Sequence, residues 1–149
     1  MAACVYKVTR FVEWPAVEDS TKAFVVGYLQ DDPFDGALAE VFADQSVRDR
    51  PVELRRIESE SDIADVQLLV IPRERKDETC GLLSQARAHA VLTVGDFEGF
   101  GNHGGMVEMA VEDRRLKLRI NQDACESAGL EVSSRLLALA EEARGSDCP

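Results

Sequence analysis

Three short runs in this sequence are apolar on both faces: AFVVGYL at 23–29, VQLLVI at 66–71 and AVLTVG at 90–95. Strand-length segments without polar alternation suit a sheet covered on both sides. That is the setting of a parallel sheet whose crossovers lay helices on its two faces. The segments between the runs have the matching character. DDPFDGALAEVF presents Asp32 as a helix cap and Pro33 for a first turn, with Leu38, Val41 and Phe42 as the apolar face. PVELRRI at 51–57 alternates and predicts a further strand. SESDIAD predicts a short capped turn or helix, and ETCGLLSQAR a helix weakened by Gly81. Residues 2–13 predict an opening helix from the spacing of Val5, Val8, Phe11 and Val12, ended by Pro15 just after Trp14.

The rhythm changes after residue 105. GMVEMAVE sets Val107, Met109 and Val111 against Glu108 and Glu112. RLKLRIN sets Leu116, Leu118 and Ile120 against Lys117 and Arg119, with EDRR between the two. Two alternating strands around a short polar turn predict an antiparallel hairpin. Asn121 then caps a helix through QDACESAG that Gly129 closes. VSSRLLALAEEAR predicts a last helix with Val132, Leu136, Leu139, Ala140 and Ala143 on one side. A chain of 149 residues forms one domain, here 1–149, that buries roughly 70% of its unfolded surface. The expected fold class is α/β. A mixed sheet of about six strands is flanked by helices, with parallel βα units followed by a C-terminal antiparallel hairpin and helices.

Charge narrows the partners. A net charge of −11 opposes nucleic acid, whose binding depends on Lys and Arg neutralising phosphates, and opposes an anionic membrane surface. No apolar run reaches the roughly 18 residues of a membrane span, and MAACVYKVTR has no export-signal pattern. Cys4, Cys80, Cys125 and Cys148 form no CxxC pair and no zinc spacing, so most are expected as free or buried thiols.

LTVGDFEGFGNHGG at 92–105 is the one segment with a cofactor-like look. It lacks the lysine and hydroxyl of a Walker loop. GFGNHG matches GxGxxG through Gly99, Gly101 and Gly104, yet the next segment reads as a strand, so no helix N-terminus faces a pyrophosphate. Asp96 and Glu98 would repel phosphate. The loop therefore reads as a wide turn in which Gly95, Gly99, Gly101, Gly104 and Gly105 permit positive φ and close backbone approach. His103 near Asp96 or Glu98 could act as a general base or bind a metal, but the spacing brings no nucleophile or second ligand from His89, Ser133 or Ser134. His89 reads as a helix-to-strand junction residue. No catalytic residue, cofactor or metal is expected. Trp14 has two readings, a half-buried packing residue or an exposed partner-binding one.

VYKVTRFVEWP at 5–15, FVVGYLQDDPF at 24–34, the glycine segment through Met109 and LRINQDACESAGLEVSSRLLALA at 118–140 together resemble the YfiR family, in its order and over nearly the whole chain. The resemblance implies a small periplasmic α/β domain, often dimeric and without enzymatic activity. It further implies a regulator that represses a membrane-bound diguanylate cyclase through the cyclase's periplasmic part, lowering cyclic di-GMP and biofilm formation. Members carry an export signal, which leads to the expectation of a chain trimmed behind Met1. Many members hold a cysteine pair where this chain has Val66 and about Gly101, so redox sensing through that bond is not expected here; a Cys80–Cys125 bridge is a different option. The expected partner is the periplasmic domain of a cyclase or sensor kinase, with a homodimer and no membrane insertion. The alternative is a small-molecule sensor module acting on a histidine kinase, with a pocket near Asp31 to Phe34 and the glycine loop. Candidate partner or ligand residues are Trp14, Phe34, Asp96, Phe100 and His103.

Overall fold

The computed structural model describes residues 2–14, 23–29, 36–43, 45–47, 50–58, 60–72 and 79–142. Its strands are β1 (Val12–Glu13), β2 (Phe24–Leu29), β3 (Ser46–Val47), β4 (Arg50–Ile57), β5 (Leu68–Ile71), β6 (Leu92–Gly95), β7 (Val107–Glu112), β8 (Arg115–Ile120), β9 (Glu131–Val132) and β10 (Glu141–Glu142). Its α-helices are α1 (Ala2–Thr9), α2 (Ala37–Phe42), α3 (Thr79–Ala88), α4 (Gln122–Ser127) and α5 (Ser134–Leu139). One sheet runs β10-β8-β7-β6-β5-β2-β4-β3, and β1 pairs with β9 in a separate small ladder. From β4 to β7 the neighbours are parallel; β7–β8 is an antiparallel hairpin. The expected mixed α/β sheet is therefore present. Six of its strands are four residues or longer, and two-residue strands finish its edges.

The unbroken apolar runs have a direct explanation. In β2, Phe24 and Val26 join one core cluster while Val25 and Leu29 join another. In β5, Leu68 and Val70 face the first and Leu69 and Ile71 the second. Side chains alternate across a strand, so a strand buried on both faces is apolar throughout. The first cluster takes Val5 and Val8 of α1, Leu38 and Phe42 of α2, Cys125 of α4 and Leu136 of α5. The second takes Leu82, Leu83 and Ala86 of α3 with Ile63 of the 3-10 turn Glu60–Asp65.

Hairpin, caps and junctions follow local chemistry. Asp113 and Arg114 hold φ of 50° and 65°, the left-handed pair that a two-residue hairpin turn needs. Asn121 Oδ1 accepts from the Ala124 amide at 3.1 Å, and Gly129 has a φ of 81° after α4. His89 lies at the α3–β6 junction, where its amide and that of Val91 donate to the Ala86 carbonyl.

Four expectations are corrected. The opening helix stops at Thr9, not residue 13, because Val12 and Glu13 extend to pair with Val132 and Glu131. The last helix covers 134–139 and not 132–144, since Val132 belongs to β9 and Glu141–Glu142 pairs in parallel with Arg119–Ile120. Gly36, with φ of 86°, is the N-cap of α2; the expected cap Asp32 and the expected first-turn Pro33 lie outside the described residues. Cys125 and Cys4 are free thiols while Cys80 is disulfide-bonded, so no Cys80–Cys125 bridge forms.

Trp14 is a core residue. Its ring meets Phe24 edge-on at 5.0 Å, and its Nε1 donates to the Gln67 carbonyl at 3.0 Å. Gln67 in turn accepts from the Val25 amide through Oε1 at 2.7 Å. The indole thus ties the segment after β1 to the N-terminal ends of β2 and β5. Trp14→Ala should cost about 3–5 kcal/mol of stability, and Trp14→Phe, which keeps most of the packing and loses the hydrogen bond, about 1 kcal/mol; urea unfolding checks both. Burial pushes the Cys125 thiol up to about 12. It should therefore resist alkylation in the folded protein at pH 8 and label readily in denaturant, as mass spectrometry of the Cys125 peptide would show.

Candidate functional site

The glycine segment solves an unusual connection. Parallel neighbours ordinarily need a crossover of a dozen or more residues, usually helical. Here β6 and β7 overlap only at Val94 with Val107 and Gly95 with Glu108. Residues 96–106 therefore leave the sheet and re-enter it at the same level, as a compact loop whose ends are adjacent.

Phe100 fills this loop and is fully buried. Phe97 packs edge-on against it with centroids 5.3 Å apart. A Cβ on Gly95 would lie 2.5 Å from the Phe100 ring, and one on Gly105 would collide with the other part of the same ring. The ring thus lies against two stretches of bare backbone. Gly99 and Gly104 serve differently, with φ of 93° and 100° that favour glycine. Gly101 opens the 3-10 turn Gly101–His103 and is held from both sides. Its amide donates to Glu108 Oε1, and its carbonyl accepts from Asn121 Nδ2, each at 2.9 Å. Thr93 Oγ1 accepts from the Met106 amide at 3.0 Å where the loop rejoins the sheet.

Several of the amides that a phosphate could use are engaged within the loop. Gly101 donates to Glu108, His103 to the Gly99 and Phe100 carbonyls, Gly104 to Gly101 and Gly105 to Phe100. The segment after the loop is strand β7, as the alternation predicts, so no helix dipole faces it. The GxGxxG letters carry no dinucleotide site.

The candidate residues are not gathered in one place. Phe100 belongs to the core, while Asp96 and His103 are half-buried at the loop. Trp14 sits at the other end of the parallel strands, beside Gln67, and is only 7% exposed. Trp14 and Phe100 are both buried, so of the two readings of Trp14 the packing one describes its place in the fold. Strand order reverses between β2 and β5, which places the switch-point crevice at their C-terminal ends. Phe34 and the rest of the expected pocket at Asp31 to Phe34 lie outside the described residues. Among the described residues, no group of three His, Cys, Asp or Glu could hold a metal.

Two features have no counterpart in the sequence reading. A cleft of about 550 Å³ opens beside the β1–β9 ladder, lined by Arg10, Phe11, Glu13, Glu131, Ser133 and Arg135. On the hairpin, Arg119 lies among three carboxylates, 3.5 Å from Glu108, 3.3 Å from Glu112 and 3.3 Å from Glu141. Lys117 bridges Glu112 at 2.9 Å, and this hydrogen bond lowers the Glu112 pKa and raises that of Lys117. A carboxylate with a lowered folded pKa contributes stability that is present above its unfolded value and lost as pH falls through the folded one. Amide protection at the β8 edge should therefore weaken on acidification below the ordinary glutamate range, a change readable by hydrogen exchange.

Comparisons with known proteins extend this picture. The YfiR/HmsC-like family matches residues 1–141, and the chain belongs to that family. The family is one of periplasmic regulators without catalytic activity. No curated protein matches the chain. Similar solved structures include a conserved domain protein from Vibrio cholerae O1 biovar El Tor, at TM-score 0.69 and 10% identity over 96% of this chain and 60% of that one. The ABC domain from Streptococcus pneumonia in complex with L-Trp has TM-score 0.62 and 14% identity over 95% and 59%. A substrate binding protein with adhesive properties from Clostridium difficile, in its ligand-free, open form, has TM-score 0.54 and 10% identity over 83% and 55%. At such identities the likeness is one of fold, and the chain spans about three fifths of the length of these structures. No described helix is long and apolar enough to cross a membrane.

The role of Phe100 has a sharp test. Gly105→Ala should destabilise the protein by about 1–3 kcal/mol through overpacking. In a Phe100→Ala background, itself costing about 3–5 kcal/mol, the same glycine substitution should cost much less. A double-mutant cycle in urea measures that coupling.

Proposed function

We propose that this chain is a non-enzymatic periplasmic protein that represses a membrane-bound diguanylate cyclase by binding its periplasmic part. Repression lowers cyclic di-GMP and restrains biofilm formation. The observation that carries the reading is family membership across residues 1–141. A homodimer is the expected working form.

A second reading rests on the cleft beside β1 and β9. Its volume of about 550 Å³ falls within the usual range of small-molecule sites, roughly 300–1,000 Å³. Two similar folds bear on it: one was solved with L-Trp and another is a substrate binding protein. In this reading the chain is a ligand sensor acting on a histidine kinase. A raised melting temperature with a metabolite from an amino-acid panel, lost in Arg135→Ala, would support it.

Deleting the gene in its own bacterium should raise cellular cyclic di-GMP, and restoring it should reverse the rise. Unchanged cyclic di-GMP, with the protein confirmed in the periplasm of the restored strain, would contradict the repressor reading.

A further inference from the structure

The exposed end of the hairpin joins two properties that the fold itself does not require. Val111 and Leu116 are directly opposite in the β7–β8 ladder and are 59% and 43% exposed. A cross-strand apolar pair at such exposure lies beyond the core that its neighbours Met109 and Leu118 reach. The second property is an open backbone edge. β8 pairs with β7 along its whole length, but on its other side β10 covers only Arg119 and Ile120. Residues 115–118 have no further strand against them among the described residues.

An open edge accepts an extended segment, with backbone hydrogen bonds giving affinity and alternate side chains giving selectivity. The side chains here state what it would accept. RRLKLR at 114–119 concentrates four of the chain's 17 basic residues, in a protein of net charge −11. Along β8, Arg115, Lys117 and Arg119 share one face, and Leu116 and Leu118 the other. The chain itself already seats an acidic strand on this edge: Glu141 of β10 lies 3.3 Å from Arg119 and 3.8 Å from Lys117. A second copy is a poorer occupant. Antiparallel pairing of two β8 strands that keeps the leucines on one face sets basic residues opposite basic residues, which is destabilising.

We propose that residues 115–118 of β8 are a docking edge for an extended segment of a protein partner in which acidic and apolar residues alternate, added in line with β10. This deepens the reading of the chain as a partner-binding regulator and rests on it. The acidic side chains of the guest face Arg115 and Lys117, and its apolar ones extend the Val111–Leu116 surface.

The test uses the full chain and two short synthetic peptides, one alternating glutamate with valine and the other lysine with valine. The glutamate peptide should slow amide exchange at 115–118, and should bind more weakly as salt is raised. The lysine peptide should leave those amides unchanged. Leu116→Asp, at an exposed position, should keep the melting temperature and abolish the protection; if it lowers the melting temperature, Val111→Asp takes its place. Absence of protection at 115–118, equal action of both peptides, or self-association that Leu116→Asp abolishes would overturn the proposal. Restoring the deletion strain with each form separates the two levels. If wild type and Leu116→Asp both return cyclic di-GMP to its original level, the edge is refuted and the repressor reading stands. If wild type itself fails to do so, the repressor reading falls and the peptide result alone decides the edge.

Discussion

A strand that passes to its parallel neighbour without a helix must close the connection with its own residues, and here Phe100 does so. Its ring occupies the loop between β6 and β7, against backbone that Gly95 and Gly105 leave bare. The arrangement depends on the short overlap of the two strands, since a longer one would force the chain back along the sheet. Everything beyond the loop follows from it. β7 continues past the end of β6, pairs with β8, and delivers Glu108 and Asn121 to hold the Gly101 peptide from two sides. The same Asn121 caps α4. Loop, hairpin and C-terminal helices are thus one connected construction on the edge of a parallel sheet.

Much of the architecture was legible because its causes are local. Double-sided burial makes β2, β5 and β6 almost wholly apolar, Thr93 apart, while β7 and β8 alternate over the residues expected, with buried Glu108 held by the Gly101 amide. Asn121 and Gly129 marked the ends of α4 by chemistry that acts within one turn. The failures lie where distant pairing decides. Val12 continues a helical spacing and still becomes strand, because β9 from the far end of the chain lies beside it. Two-residue strands such as β3, β9 and β10 are too short to show any period. The charged ladder of Arg119 with Glu108, Glu112 and Glu141 likewise needs the folded register to be seen.

The candidate site was legible in a different sense. The glycines were identified as sites of positive φ and close approach, and both occur: Gly99 and Gly104 for the first, Gly95 and Gly105 for the second. What approaches them was missed. A phenylalanine midway between two glycines, each five residues away, was the available signal, since both glycines contact the one ring. The sequence allows Trp14 either a packing or a partner-binding role; the hydrogen bond to Gln67 and the edge contact with Phe24 place it in the core. Among the described residues, large exposed apolar side chains lie instead at Val111, Leu116 and Leu139.

The proposed action of this chain runs from the periplasm onto a cyclase in the membrane. Spheroplasts of the source bacterium, stripped of periplasmic contents and then given the purified chain, test it directly. Cyclic di-GMP should rise when the periplasm is removed and fall again as the chain is added back. A level that ignores the added chain would contradict it.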